Sequence, residues 1–544
     1  MSGSIASKHG KIPMIRALRE AAAVVLLLAA ALSAGPAQAQ KQGGTLRLYH
    51  RDSPASVSLL EEATISVLVP MMGVFNNLVV FDPKAAQQSL AAIVPDLAES
   101  WSWSEDGKDL VFKLRHGVTW HDGKPFTAAD VRCTWDLLLG RGTAKLRLNP
   151  RRSWWDNVAE VTAEGNDTAI FHLKRPQPAL LALLASGLSP IYPCHVSPAQ
   201  MRQHPIGTGP FKFVEFKPNE SIRVARNPDY WKPGRPYLDG IEYTIIPNRS
   251  TAILAFVAGK FDMTYPYQVT MPLLKQVREQ MPDAVCEVRP TNGTNALLNH
   301  TAPPFDNPDL RRAVALSLDR KALIDMLTDG EGTPGAAMLP PPEGLWGLPQ
   351  DELAALPGYG PDVEKNRTEA RAIMQKLGYG PDKPLAVKIM TRNAPVFRDP
   401  AVALTDQLKQ IYINGELDLV ETAQWYPKLA RKDYTIAYNL TERGVDDPDQ
   451  QFFENYACSS DRNYTGYCDG VMDDAFVRQS IEPDQARRQG LVWQIQKQLE
   501  EQGARITMYY SRGATCWQPQ VKGVSLALDS IYNSWRFEDV WLDR

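Results

Sequence analysis

The chain has 544 residues, of which 44% are hydrophobic, so it can bury a core large enough for two or three domains. Its formal net charge is −3 and it has no block rich in Lys and Arg. This balance excludes the strongly basic class of nucleic-acid-binding proteins, and we expect no nucleic-acid partner.

The first 39 residues have the pattern of a cleavable signal peptide. Basic residues open this segment: Lys8, Lys11, Arg16 and Arg19. An apolar run follows at 21–34, and Ala37-Gln38-Ala39 is a small-residue cleavage signal. The run is short for a membrane anchor, so we expect Sec-type export to the periplasm with cleavage after Ala39, and Met14 is an alternative start.

Strand and helix patterns alternate along the rest of the chain. Residues 45–49, 112–115 and 169–173 alternate as strands do, whereas 130–139, 308–327 and 485–502 repeat at helical spacing. The Pro- and Gly-rich stretch at 332–361 predicts a long loop, either a surface excursion or a ligand-facing segment. The mixture indicates an α/β or α+β protein.

Residues 120–131 place His121 beside Asp122, a pair that could suggest a catalytic base and its orienting acid. Asp122-Gly123 is a turn signal, however, and Thr127 and Asp130 have the spacing of a capping box at a helix start. Neighbouring side chains on an extended chain point to opposite faces. We therefore predict that this stretch is scaffold.

The chain has no phosphate-binding loop, no H-E-x-x-H, no G-x-S-x-G and no G-x-G-x-x-G after a strand. The histidines show no metal-binding spacing, so we predict neither an enzyme, nor a metal site, nor a cofactor. Among the six cysteines, Cys458 and Cys468 are the best disulfide pair because one short polar segment holds both, and the partners of the other four stay open.

Three blocks together resemble the extracytoplasmic solute-binding proteins of the dipeptide, oligopeptide and nickel class, family 5, which serve ABC importers. The blocks lie at 95–131, 207–231 and 304–320; they include Pro-Asp-Leu-Ala-Glu-Ser-Trp, Gly-Thr-Gly-Pro-Phe-Lys and Pro-Phe-Asp-Asn-Pro-Asp-Leu-Arg-Arg-Ala. The resemblance implies an α/β periplasmic binding protein-like fold with two lobes, a hinge and an extra inserted domain. The expected domains are a discontinuous domain I (40–77, 208–287 and 512–544), an inserted domain II (78–207) and domain III (288–511).

The loop at 441–449 is similar to the loop in which peptide-binding relatives hold the ligand's α-amino group. Laying Asp447-Pro448-Asp449 on the family motif puts Gly444 where those relatives have an aspartate, with Arg443 beside it. An arginine favours a carboxylate or a phosphate. Glu442 or Asp446 could supply the missing carboxylate after a small shift, and Arg443 could instead pair with Asp446 or Asp447 at the surface.

Other candidate ligand contacts match the family more loosely. They are Tyr49 and His50 at the end of the first strand, Arg392 and Arg398 around a loop, Trp425, and Arg462 and Asn463 between the paired cysteines. Each of these residue types is also common in ordinary packing.

The resemblance implies a monomeric receptor that binds a peptide or a related small organic solute between its lobes. It would deliver this ligand to the transmembrane subunits of an ABC permease with separate ATPase subunits. A nickel or metal-chelate receptor is the first alternative, with His50 and Arg392 or Arg398 as the holding residues. A secreted hydrolase on the same fold is the second.

Overall fold

The structure is a computed structural model that describes residues 1–4, 40–85, 87–441 and 443–544. The predicted signal peptide lies outside the described residues from 5 to 39. The chain divides into two units, 1–41 and 42–544, and the fold is that of the second. Within the described ranges, no helix combines the length and apolar character that a membrane crossing requires.

Among the described residues, the strands form three larger sheets and two short pairs. In chain order they are β1 (Thr45–His50), β2 (Val79–Phe81), β3 (Ile93–Pro95), β4 (Ala98–Trp103), β5 (Asp109–Leu114), β6 (Val158–Glu164), β7 (Thr168–Leu173), β8 (Phe211–Lys217), β9 (Ser221–Arg226), β10 (Gly240–Ile245), β11 (Val285–Leu298), β12 (Leu385–Arg392), β13 (Ile413–Val420), β14 (Ile436–Thr441), β15 (Ile506–Trp517), β16 (Val521–Lys522) and β17 (Trp541–Leu542). The sheet orders are β1-β10-β9-β8, β4-β5-β7-β6 and β13-β12-β14-β11-β15, with β2-β3 and β16-β17 as pairs.

The helices cover the sheets and connect them. They are α1 (Ile65–Met71), α2 (Ala128–Leu138), α3 (Leu180–Ala185), α4 (Pro198–Met201), α5 (Arg249–Val257), α6 (Met271–Gln280), α7 (Pro308–Ser317), α8 (Arg320–Thr328), α9 (Gln350–Ala354), α10 (Val363–Lys376), α11 (Pro395–Lys409), α12 (Thr422–Ala430), α13 (Pro448–Asn455), α14 (Gly470–Ile481) and α15 (Gln485–Glu501). Short 3₁₀ turns lie at Met72–Val74, Leu90–Ala92 and Arg152–Trp155. Parallel pairing of β1 with β10 and of β12 with β13 and β14, beside antiparallel pairs, confirms the α/β prediction.

Most of the predicted elements are present, and one is wrong. The strands predicted at 45–49, 112–115 and 169–173 correspond to β1, β5 and β7. The single helix predicted at 308–327 is two helices, α7 and α8. The Asp319 side chain accepts a hydrogen bond from the Ala322 backbone N–H at 2.9 Å and starts a new helix there, because a capping aspartate competes with continued helix.

The stretch at 332–361 has only the short helix α9, yet it is not a surface excursion. Residues 336–339 are at most 2% exposed. Glu343 forms an ion pair with Arg512 at 2.7 Å, and the Leu345 backbone N–H donates to Asp446 at 2.6 Å. The loop is therefore packed into the protein.

The apolar core falls into two regions. The largest cluster draws its buried members from 46–277, Val445 and 514–542. The remaining clusters lie within 296–509. This grouping supports our proposed division, with domains I and II in one lobe and domain III in the other.

Strands β11 and β15 run from one core region to the other. They pair antiparallel from Val285↔Trp517 to Ala296↔Ile506, with an irregularity between Pro290 and Gly293. At the end of the pair where Val285 lies opposite Trp517, β15 contacts the first lobe through the bridge between Trp517 and Met263. At the other end, β11 pairs with β14 of the second lobe. The proposed domain boundaries at 287/288 and 511/512 lie within these two strands.

Three disulfides join the six cysteines: Cys133–Cys194, Cys286–Cys516 and Cys458–Cys468. The predicted pair at Cys458 and Cys468 is confirmed. The other two pairs are separated by 61 and 230 residues, which is why spacing alone did not pair them. Cys286 and Cys516 face each other on β11 and β15, so this bond joins the two crossing strands directly.

Removal of the Cys133–Cys194 bond should destabilise the protein. Closing the loop of 61 residues restricts the unfolded chain, so Cys133→Ala with Cys194→Ala should lower the free energy of unfolding by about 2–5 kcal/mol. Denaturant unfolding measures this change. The Cys458→Ala and Cys468→Ala double variant removes a bond that closes a loop of only 10 residues, and it serves as the comparison, with a smaller expected loss. An unchanged midpoint in the first variant would contradict the assigned pairing.

Candidate functional site

A partly enclosed cavity of about 180 Å³ lies where the two core regions meet. The first lobe contributes Arg51, Arg249 and Tyr267 to its wall, and the second contributes Asp399 and Tyr438. The crossing strand β11 also lines it, through residues 291, 292 and 294. Because both lobes build this wall, a ligand bound here would contact both at once.

The two arginines of the first lobe reach the cavity from neighbouring strand ends. Arg51 directly follows β1, and Arg249 begins α5 shortly after β10, the parallel neighbour of β1. The Asn248 side chain caps α5 by accepting from the Thr251 backbone N–H at 2.9 Å, which fixes where the helix starts. Ligands commonly bind at the carboxyl ends of parallel strands in α/β sheets.

The charges around the cavity are unevenly paired. The Arg51 guanidinium lies 3.7 Å from Asp52, Arg512 pairs with Glu343, and Asp399 accepts from Arg398 at 3.2 Å. Among the described residues, the Arg249 guanidinium donates no hydrogen bond and has no carboxylate within 4.0 Å. Burial lowers its pKa, and the nearby Arg51 lowers it further, while Tyr49 and Asp399 raise it.

Arg443 is buried beside the cavity, and the proposed surface pairing with Asp446 or Asp447 is wrong. Its Nη2 donates to the Thr291 carbonyl at 2.8 Å and its Nη1 to the Asp529 carbonyl at 3.1 Å. Its guanidinium lies over the ring of Tyr510, with 5.4 Å to the ring centre. This side chain thus joins the loop at 443–447 to β11 and to the carboxyl-terminal segment.

Asp446 and Asp529 form an acidic pair next to Arg443. One carboxylate oxygen of each residue accepts a hydrogen bond. The donor to Asp446 is the Leu345 N–H, and the donor to Asp529 is the Gln88 N–H at 2.8 Å. The other oxygen of each is buried without a partner in the described structure. Burial raises the pKa of both carboxyls, and repulsion from Asp529 adds to the rise at Asp446, although Arg443 opposes it.

Gly444 lies at a contact between the lobes. A Cβ atom at this position would lie 3.1 Å from both Leu188 Cδ1 and Trp154 Cη2, so little space remains for a side chain. Its carbonyl accepts from Ser530 at 3.0 Å and from Asn533 at 2.9 Å. This close packing explains why a glycine occupies position 444.

Asp447 serves a buried ion-pair network. It caps α13 and pairs with Arg488 at 2.7 Å, and Arg488 also contacts Asp449 at 3.1 Å. Gln177 of the proposed domain II donates to Asp449 at 2.7 Å, which links the two lobes. The Asp447 carboxylate thus contacts other protein groups in the described structure.

Tyr49 and His50 differ in their surroundings although they are neighbours. The Tyr49 hydroxyl is buried without a hydrogen bond in the described structure, and Arg249 acts on it electrostatically. His50 is fully buried; its Nε2 contacts the Ser66 carbonyl at 2.9 Å and its Nδ1 accepts from the Asp52 N–H at 3.3 Å. Both ring nitrogens are thus occupied within the protein, so the structure offers no support for His50 as a holder of a metal chelate.

Arg392, Arg398 and Trp425 lie on the second lobe. Arg392 is 9% exposed and stacks on Phe397, 3.6 Å from the ring centre. Arg398 lies in α11, half-exposed beside Asp399, and other residues of this helix line the cavity whereas Arg398 does not. Trp425 is fully buried in an apolar cluster, as its alternative packing role predicts.

Arg462 and Asn463 lie away from this cavity. Arg462 pairs with Glu454 at 2.9 Å and borders a separate cavity of about 220 Å³ with Asp156 and Asp461. The Asn463 amide donates to three backbone carbonyls of its own loop, those of residues 456, 457 and 467. This pattern orders the loop that the Cys458–Cys468 bond closes.

The scaffold assignment of 120–131 agrees with the contacts found. His121 Nδ1 accepts from the Gly207 N–H at 3.2 Å and its Nε2 contacts the Gly209 carbonyl at 3.0 Å. Asp122 instead contacts His195 at 2.7 Å. The capping box is present, with the Thr127 N–H donating to Asp130 at 3.0 Å.

Sequence reasoning missed Arg51, Arg249, Tyr267, Asn292 and Asp529. The pattern Pro-Asn-Arg at 247–249, a strand followed by a capping asparagine, could have marked Arg249 as a helix-start residue at a strand end. No comparable signal marks the other four, because distant segments bring them together.

Comparisons with known proteins agree with the fold. The family model described as bacterial extracellular solute-binding proteins, family 5 Middle, matches residues 92–463. A relative named probable di/tripeptide-binding protein 5, from Pseudomonas aeruginosa, is 24% identical over 92% of this chain and 96% of its own length.

Two solved structures show the same architecture. The periplasmic binding protein DppA of Helicobacter pylori, in complex with the peptide STSA, superposes with a TM-score of 0.79 at 22% identity, over 93% of this chain and 99% of that one. AgaA of A. tumefaciens R10, in complex with agropinic acid, has a TM-score of 0.77 at 21% identity, over 92% and 99% of the two chains. These likenesses confirm the expected two-lobed binding-protein fold.

The acidic pair should make stability depend on pH. The folded pKa of Asp446 is raised above its unfolded value of about 3.9, so its stabilising contribution is complete below that pH and is lost as pH rises through the folded pKa. Asp446→Asn should therefore flatten the decline of the unfolding free energy above pH 4 in unliganded protein. Denaturant unfolding at a series of pH values measures it, and an unaltered slope in the variant would contradict the assignment.

His121 and Arg443 should respond differently to substitution. His121→Ala removes a structural contact distant from the cavity and should leave ligand affinity nearly unchanged. Arg443→Ala breaks the contacts to Thr291 and Asp529 and should weaken binding roughly tenfold or more. Calorimetric titration of folded variants, checked by circular dichroism, compares them. A large loss at His121 with the fold intact would reverse the assignment.

Proposed function

Because the chain belongs to family 5 of the bacterial extracellular solute-binding proteins, we propose that it binds a peptide or a related small organic solute between its lobes. It then delivers this ligand to the transmembrane subunits of an ABC permease, whose ATPase subunits are separate chains. The observation that carries the proposal is the cavity to which both lobes contribute. Ligand binding would shift the protein toward a closed conformation, since a ligand that contacts both lobes stabilises the closed form.

We also propose where the protein acts, its oligomeric state and that it does not catalyse a reaction. The family is one of extracellular binding proteins, and export through cleavage after Ala39 follows from the amino-terminal pattern. We propose that the protein acts as a monomer and is not an enzyme. The relatives whose names mention di/tripeptides and peptides support a peptide ligand.

The acidic pair supports a ligand that carries a positive group. Gly444 provides no carboxylate, but Asp446 and Asp529 each have a buried oxygen without a partner in the described structure. A ligand ammonium would neutralise these carboxyls and favour their charged forms. Glu442, the other substitute considered from the sequence, lies outside the described residues. Arg443 would then hold the loop in place for this contact, rather than being the main ligand-binding charge.

A thermal-shift screen tests the function. Pools of dipeptides, tripeptides, amino-acid conjugates and organic acids should include one that stabilises the protein by about 2.7 kcal/mol at a hundredfold excess over its dissociation constant. Small-angle scattering with the same pool should show a smaller radius of gyration as the lobes close. The control is Asp446→Asn, which should lose most of the stabilisation by peptides with a free amino group. If no pool stabilises the wild-type protein and no closure is seen, the function is wrong.

A further inference from the structure

Three features of the cavity indicate that it binds a ligand. Arg249 faces it without a carboxylate within ion-pair distance in the described structure. The Tyr267 hydroxyl and the Asn292 Oδ1 are buried with no hydrogen-bond partner there. Buried polar groups are normally satisfied, and a group without a partner loses the free energy of its hydration.

Tyr267 is held in an unusual backbone conformation. Its φ of 55° lies in the left-handed region, which a bulky residue rarely adopts. Its N–H donates to the Thr515 hydroxyl at 3.0 Å, and its ring packs edge-on against Trp535 at 5.9 Å between centroids. A Cβ at Gly513 would lie 2.5 Å from the Tyr267 carbonyl oxygen, so glycine is required for this close approach. Such strain persists where surrounding structure fixes it, often at ligand sites.

The chemistry of these groups is specific. A guanidinium presents paired N–H donors that match a carboxylate, and a tyrosine hydroxyl can add one more donor. The amide oxygen of Asn292 needs an N–H donor instead. A carboxylate adjacent to an N–H is the carboxyl-terminal unit of a peptide or of an N-acyl amino acid.

We propose that Arg249, supported by Arg51 and Tyr267, is the carboxylate subsite of the cavity, and that Asn292 accepts from the adjacent N–H of the same ligand unit. This inference rests on the proposed function and names the ligand end that the cavity takes. The volume of about 180 Å³ is below the roughly 300–1,000 Å³ of typical sites for whole small molecules, so it fits one end of a peptide or a small solute. Arg443 donates to the carbonyl of Thr291, the residue before Asn292, and to the carbonyl of Asp529, so the acidic pair adjoins the cavity wall at Asn292.

The test compares a ligand change with a protein change. The probes are a dipeptide pool with free carboxyl termini and the same pool as carboxyl-terminal amides. Wild-type protein should bind the free pool on the order of 10- to 100-fold more tightly than the amides. Arg249→Gln should bring the two pools to similar affinity, because the variant removes the charge that distinguishes them.

A matched control isolates the site from net charge. Arg278 is exposed in the last turn of α6 on the same lobe, so Arg278→Gln makes the same charge change and should keep full discrimination. If Arg249→Gln does not fold, Arg249→Lys is used instead, because lysine keeps the positive charge but lacks the paired N–H donors of the guanidinium. It should retain the preference for the free pool at reduced affinity.

The outcomes separate this inference from the proposed function. Equal binding of both pools by wild-type protein, discrimination that persists in folded Arg249→Gln, or an unchanged affinity of Arg249→Lys for the free pool would leave the peptide function standing and overturn the subsite. If only an organic-acid pool binds, and does so through Arg249, the subsite stands and the peptide ligand is wrong. If no pool containing an anion binds, both are overturned.

Discussion

The antiparallel pairing of β11 with β15 is the constraint on which the rest of the structure depends. The two strands carry the chain from one core region to the other, and each lobe adds its own strands or bridges to one end of the pair. The irregularity between Pro290 and Gly293 interrupts the ladder midway. Residues 291, 292 and 294, which line the cavity, lie at or beside this interruption, so the same segment connects the lobes and faces the proposed ligand.

Charge burial fixes the lobes in the arrangement observed. Asp449 receives hydrogen bonds from Gln177 across the lobes and from Gln479 and Ser480 within the second lobe, all at 2.7 Å. Trp154 donates to Glu454 at 2.7 Å over the same interface. A buried carboxylate that loses a partner is strongly destabilised, so these contacts favour closure only while the opposite lobe supplies its donors. The free energy of closure is then shared between these contacts and the ligand.

Local patterns predicted well those features that depend on neighbours in sequence. The strand at 45–49, the capping box of Thr127 and Asp130, and the Cys458–Cys468 pair all rest on residues a few positions apart. The exception, the helix at 308–327, failed because the capping effect of Asp319 outweighed an unbroken apolar period. Most of the candidate ligand residues were drawn from family likeness, and the structure gives several of them partners within the protein.

The sequence by itself determined the class of the molecule, a two-lobed extracellular solute-binding protein of family 5, since the family blocks are local patterns. Only the tertiary structure decided which charges face the cavity. Arg51, Arg249 and Asp399 come from segments up to several hundred residues apart, and no periodicity relates them. Whether an arginine is paired or lacks a partner depends on the packing of distant strands, and this is why Arg443 proved to bind backbone carbonyls while Arg249 faces the cavity.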